Sequence, residues 1–520
     1  MCQLQFVYTS HFEKTISNSK LKGTFTCLIL QKTEIPFAIC TLGRYNEAYW
    51  KNRGVAFYDK NKVLGIVWDF INSDKALFEI LSDLYHKYEH EPAVGIGSLM
   101  TPTVLVLDPL NVQHVLQTDF QSFSHRGVNV NEGDLLADNV LFMNGPRWKL
   151  MRQKMTPLFT AAKLRNMYYI IEKSAQDFVE HLKENPQKLK GKGFDTMTEF
   201  CSAAIAAAVF GIGTESTFKS PFLQMARDAV KVNWRTNLRF AIGNISDSFS
   251  KALGLKLFKE QEPFFIDAVK QVLRAREKQN SKKHDFPDIC VNLQRAGTMK
   301  DPETGQELEP TDELLAAQGF FFFIAGVETA ASAMFGALTE LGKKPEILRK
   351  LQQEIDETID KHGENLTYDV VSDMKYLDQV LSEALRMHTP IGFLGRKCVS
   401  DAVLPVGNVR ISKGTKVFIS IFNMHFNPKY FPNPEEFDPE RFSPENRKTS
   451  EIAYLPFGRG SRICIGMRYA RLQLLAGLLH LLRHYDVVSH VNKNAKKRYA
   501  KTQFQLRRVD TDIELFPRNK

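Results

Sequence analysis

The sequence predicts a single, mainly α-helical domain with a small β-sheet portion. Three observations carry the prediction: apolar positions recur at helical spacing over seven long segments, β-branched runs are few and short, and no Pro- or Ser-rich linker divides the chain. A yield of one domain per ~100 to 200 residues would give three or four domains in 520 residues, but the continuous helical pattern outweighs that expectation.

Taken in chain order, helical periodicity covers Ala161 to Leu182, Phe222 to Val232, Pro263 to Gln279, Thr311 to Leu341, Pro345 to Lys361, Ser372 to Met387 and Gly466 to Arg483. Strands are expected at Thr103 to Leu107 and Thr415 to Phe422, the second entered through a Lys413-Gly414 turn. Polar breaks fall at Arg276 to Asp288 and Lys300 to Thr311. The segment Leu314 to Leu341 is apolar and long enough to span a bilayer. Glu328 at its centre would cost ~2.5 kcal/mol or more there, so the segment reads as a helix buried all round inside a large protein. A carboxylate midway along such a helix then requires a reason.

With 43% apolar, 25% charged and 11% aromatic residues, the chain is neither disordered nor fibrous. Seven scattered cysteines without a C-x-x-C pair indicate neither a disulfide framework nor a structural zinc site. The net charge, 69 minus 59 or +10, favours an acidic partner. The densest basic run, Lys493 to Arg508, carries no nucleic-acid module signature and reads as a solvated face. Apolar stretches near the amino terminus are far shorter than the ~20 residues of a spanning helix, so neither a signal peptide nor an anchor is expected there.

The strongest chemical signal is the string Phe457-Gly458-Arg459-Gly460-Ser461-Arg462-Ile463-Cys464-Ile465-Gly466, which runs into a helix. A cysteine in a glycine-rich loop at a helix amino terminus is favoured as a thiolate, and so as a nucleophile or a metal ligand. Gly458 and Gly460 let the backbone approach a flat object closely, and Arg462 suits an anionic group on it.

Position for position, this string resembles the haem-binding signature F-x-x-G-x-R-x-C-x-G of the cytochrome P450 family. Four more motifs follow the family's order. Glu383-Ala384-Leu385-Arg386 resembles E-x-x-R, Phe437 to Phe442 contains P-E-R-F, Ala325 to Thr329 resembles A-G-x-E-T, and Trp148 to Arg152 resembles W-x-x-x-R. The resemblance covers roughly residue 45 to the end. Ser461, Ala330 and Asn427 depart from the common pattern without removing a catalytic group.

This resemblance implies a haem b group with Cys464 as axial iron ligand. Phe457, Trp148, Arg152, Arg396, Arg462 and, more weakly, Arg126 form its expected binding set. Glu383 and Arg386 share a helix face, and with Arg441 they form an expected structural triad that fixes the cysteine loop. Thr329 is expected to bond back to the Ala325 carbonyl and open a groove for dioxygen, which Gly326 leaves unfilled, while Glu328 relays protons. Such a protein is a monooxygenase that inserts one oxygen atom of O2 into lipophilic small molecules. No flavin or NADPH motif is present, so electrons are expected from a separate NADPH-cytochrome P450 reductase carrying FAD and FMN, with cytochrome b5 as a further donor. Lys149, Lys154, Arg459 and Arg468 are its expected docking residues.

The branch resembled contains xenobiotic-metabolising enzymes of insects and vertebrates. Its pocket would be lined by Phe320 to Ile324, the loop from Arg126 to Val140, residues near Trp234 to Ile242, Thr389 to Leu394 and Thr502 to Gln505, the phenylalanines among them reading equally as core. Localisation at the cytoplasmic face of the endoplasmic reticulum membrane, or a peripheral or soluble form, is implied. Residues 1–44 resemble nothing in the family and stand where an anchor is expected, so an alternative or misassigned first exon is inferred; 45–520 would be the catalytic domain. Alternatives are a reductase-independent haem-thiolate isomerase or dehydratase, and a non-catalytic haem or ligand-binding remnant.

Overall fold

The computed structural model describes residues 39–211 other than 129 and 132, then 218, 224, 254, 256–278, 285–446, 451–492, 495, 498–502 and 505–518. The expected helix over 222–232, apart from residue 224, the pocket wall at 234–242, and residues 1–38 lie outside the described residues. A helix over 39–51 runs across the expected 44/45 boundary.

Five short strands form the larger sheet: β1 (Ala56–Tyr58), β2 (Ala93–Ile96), β3 (Thr103–Val106), β4 (Phe393–Lys397) and β5 (Lys416–Ser420), in the order β1-β2-β3-β5-β4. Val104 pairs with Val417 in parallel, and Arg396 pairs with Val417 in the antiparallel β4–β5 ladder. β5 ends earlier than expected because the Ser420 side chain caps a short helix, Ile421–His425, by accepting the Asn423 N–H. A two-stranded ribbon, β6 (Tyr485–Val491) with β7 (Thr511–Pro517), closes the chain.

The helices that frame the core are α1 (Gly145–Met155), α2 (Ala161–Glu184), α3 (Gly193–Phe210), α4 (Glu262–Lys278), α5 (Phe286–Ala296), α6 (Asp312–Leu341), α7 (Pro345–His362), α8 (Lys375–Met387) and α9 (Met467–His484). Thr311 caps α6 by accepting the Leu314 N–H, and Asp312 and Glu313 complement the dipole in its first turn. α6 packs against α3, α4, α8 and α9. The small-residue run Ala203 to Ala208 lets α3 approach closely, and a Cβ at Gly326 would sit 3.0 Å from Ile205 Cγ1. Gly326 therefore serves helix packing, not the groove expected of it.

α6 is the one helix among the described residues long and apolar enough to cross a membrane, and protein covers most of it. Phe320 packs on Phe258 and Phe265, Phe322 on Phe159 and Phe286, and Phe323 on Phe210 and Phe265. These phenylalanines, expected to line a pocket, are core.

Two polar breaks are built structure. Arg276 lies within α4, and its guanidinium holds Asp285 and Asp288, each at 2.6 Å, at the start of α5. Residues 300–311 include the outer strand of a hairpin pairing Met299–Lys300 with Glu307–Leu308. The helix expected from Ser372 is two: Tyr368–Ser372, capped by Thr367, and α8, separated by an extended Met374.

Candidate active site

The cysteine loop is closed by the Cys464 N–H, which donates to the Phe457 carbonyl at 2.9 Å, just before α9 begins. Cys464 is solvent-accessible. Burial pushes the thiol up, while the Gly466 N–H and the charges of Arg126 and Arg152 pull it down. Both glycines adopt left-handed φ, +73° at Gly458 and +72° at Gly460. A Cβ at Gly460 would lie 2.0 Å from the Leu116 carbonyl oxygen, so its closest partner is backbone, not the flat object expected. Only Leu394 stands near Gly458, at 3.6 Å.

Four arginines converge beside this loop. The bridge between His125 and Lys397 lays residue 126 along the edge of β4, next to Arg396. Arg126 donates to the Arg462 carbonyl at 3.2 Å and Arg152, on α1, to the Ile463 carbonyl at 2.9 Å, bracing the backbone on either side of that peptide. Arg462 donates to the carbonyls of Ser124 and Met143 and stacks 3.9 Å from the centre of the Trp148 ring. The Trp148 ring thus carries an arginine, a contact that reasoning from its N–H alone missed.

Among the described residues none of the four pairs with a carboxylate, and Arg126 Nε, Arg396 Nε and Arg462 Nη1 are buried without a partner. Burial draws Arg462 down to about 8, with repulsion from Arg126, Arg396 and Arg152 added; Arg396 is drawn to about 9 and Arg126 to about 10, burial again leading. Guanidinium is in practice always charged, so this arrangement is costly until an anion joins it.

Beyond its first turn, the residues of α6 that are only partly covered are Ile324, Ala325, Gly326, Glu328, Thr329 and Ser332. Gly326 aside, they form one stripe on an otherwise buried helix. The Thr329 hydroxyl donates to the Ala325 carbonyl at 2.5 Å, as expected, but the helix stays α-helical throughout and does not open. Glu328 accepts no hydrogen bond and meets no cation among the described residues.

The Glu383–Arg386–Arg441 constellation comes together with Glu383 and Arg386 fully buried and Arg441 nearly so. Arg386 grips Glu383 with two bonds of 2.7 and 2.9 Å, and Arg441 Nε stands 3.3 Å from the same carboxylate. Glu383 also accepts the Asp438 N–H at 3.0 Å, and Arg386 donates to the His425 carbonyl at 2.9 Å. His425, which sequence reasoning missed, completes the link: its Nδ1 donates to the Arg386 carbonyl, and its Nε2 accepts the Leu455 N–H at 2.8 Å, two residues before Phe457. A surface groove of about 530 Å³ between α1 and α5, lined by Leu150, Lys154, Ile289 and Leu293, contains none of these residues.

A family model described as Cytochrome P450 matches residues 60–514. Among curated proteins, the chain is 33% identical over 443 residues to cytochrome P450 6B2 of Helicoverpa armigera, covering 84% of this chain and 87% of that protein. It is 35% identical over 456 residues to cytochrome P450 6A1 of Musca domestica, covering 85% and 88%.

Proposed function

The chain belongs to the cytochrome P450 family of haem-dependent monooxygenases, and from that premise we propose that Cys464 is the thiolate ligand of a haem iron at which lipophilic small molecules are oxygenated. The observation that carries this reading is the cluster of four guanidiniums, Arg396 and Arg462 buried and none paired with a carboxylate among the described residues, beside an accessible cysteine. A haem, with two propionates and an open iron coordination site, has the charge and the ligand demand that such a cluster and thiol satisfy. When bound, it would supply an iron centre for activating dioxygen, with Cys464 the residue that would donate a thiolate to it.

The chain's own residues do the rest. Arg126, Arg152, Arg396 and Arg462 would hold the propionates, with Trp148 carrying Arg462, and Phe457 closes the loop that presents Cys464. The triad and His425 hold that loop from behind. Thr329 and Glu328, on the open stripe of α6, would hold and pass protons at the hydroxyl and carboxyl oxygens. Electrons come from an NADPH-dependent flavoprotein reductase, cytochrome b5 serving as a second donor, at the membrane surface of the endoplasmic reticulum. Residues 45–520 act as one catalytic domain, with 1–44 outside it.

The reduced, carbon monoxide-bound absorption spectrum tests the reading. The wild-type protein should give the strongly red-shifted Soret band of a thiolate-ligated haem, and Cys464→Ala should lose it. A wild-type protein without that band would refute the proposal.

A further inference from the structure

Glu328, Ser332, Gly336 and Glu340 succeed one another at four-residue steps along one flank of α6, leading away from Thr329. Ser332 donates to the Leu506 carbonyl at 3.1 Å. Gly336 makes the seat for His388, since a Cβ there would lie 2.5 Å from the His388 Cβ. Glu340 meets His388 Nε2 at 2.8 Å, Lys343 at 2.7 Å and Arg508 at 3.6 Å, and Arg508 donates to Asp510 at 2.8 Å. Glu340, His388 and Arg508 are all less than a tenth exposed.

A carboxylate in the last turn of a helix opposes the dipole, and burying it adds a desolvation cost. Against that burial, His388 and Lys343 hold the Glu340 carboxyl at about 2, while burial pulls His388 down. None of these groups touches the cysteine loop or the triad. What they do touch is the turn that begins at Tyr499, which bridges Arg508. Ala500 N–H bonds the Arg507 carbonyl, Leu77 N–H the Thr502 carbonyl, and Leu506 N–H the Pro390 carbonyl. The turn is therefore closed by its own backbone, tied by backbone to two other segments, by Ser332 to the open stripe of α6, and by charge at its base.

We propose that Arg508, held by Asp510 and by Glu340 with its partner His388, is a positioning residue that fixes the described ends of the turn, 499–502 and 505–508, beside Ser332 on the open stripe of α6 and so limits the size of ligand the pocket admits. This inference rests on the haem-pocket reading above. Ser332 and Glu340 lie eight residues apart on a rigid helix, so movement at the charged base reaches the Leu506 carbonyl through only a few bonds.

The test compares Soret shifts with imidazole and with bulky 1-tritylimidazole in wild type, Arg508→Gln, Arg508→Lys and Ser332→Ala. Arg508→Gln and Ser332→Ala should each change tritylimidazole affinity by about fivefold or more, the scale of one lost hydrogen bond, while imidazole stays within about twofold. Arg508→Lys should recover most of the loss. Tryptic cleavage after Lys501 should speed up in Arg508→Gln, a readout that needs no haem. Equal behaviour of both azoles in wild type and variants would sink the inference alone. A wild-type protein with no shift for either azole would sink the haem reading and this inference with it.

Discussion

His425 shows how a single buried ring makes the cysteine loop pH-dependent. Its Nδ1 donates to Arg386 and its Nε2 accepts from Leu455, so both nitrogens are committed to one neutral tautomer. Burial draws its pKa from 6.5 to about 3. The unfolded chain takes up a proton near pH 6.5 and the folded chain does so only near 3, so between those values the unfolded state binds more protons. The contribution of His425 is thus full above about pH 6.5 and is lost as pH falls, by up to ~1.4 kcal/mol per unit. Thermal midpoints at pH 8, 6.5 and 5 should fall more steeply for wild type than for His425→Gln. Parallel pH profiles would show that the ring titrates normally. The pattern F-N-M-H-F gave no hint of this role, because nothing local marks a histidine whose partners lie 39 and 30 residues away.

At the scale of elements, helices were legible where a periodic pattern or a long apolar run marked them, as in α6, buried nearly all round, and one shorter buried helix was not. α2, α4, α7 and α9 lie within a residue or two of their expected bounds because each keeps a periodic pattern. α3 was not foreseen: its second half, A-A-I-A-A-A-V-F, is apolar all round and gives no period to detect. The cysteine loop was legible as chemistry but not as packing. Its glycines signalled close approach, yet what Gly460 approaches is the backbone at Leu116, supplied by a segment more than 300 residues earlier. At φ +72° and 2.0 Å from that carbonyl, an added methyl group cannot be absorbed by a side chain moving aside. Gly460→Ala should therefore displace the loop and convert most of the red-shifted carbon monoxide band into that of a haem without its thiolate. Gly458→Ala, with only Leu394 nearby at 3.6 Å, carries the φ penalty alone and should retain more of the band. Equal losses in the two variants would show that positive φ, not the clash, governs the loop.

Over the whole molecule, the net charge of +10 was read from composition as a preference for an acidic partner, and the structure shows which cations are free to express it. Of the four expected docking residues, Arg459 is tied to the Glu451 carbonyl and Lys149 is paired with Glu303, whereas Arg468 is exposed. The proposed reductase should then feel a field that one acidic side chain already weakens at Lys149. Surface charges more than a Debye length apart are screened, about 10 Å at 0.1 M salt, so the interaction should act mainly on association. The apparent KM for the reductase should rise severalfold between about 0.05 and 0.5 M ionic strength, with kcat at saturating reductase little changed. Arg468→Glu should raise KM at low salt, and Glu303→Gln, which releases Lys149, should lower it; both differences should shrink at high salt. A KM indifferent to salt and to both substitutions would mean that the partner docks through apolar contact or on another face.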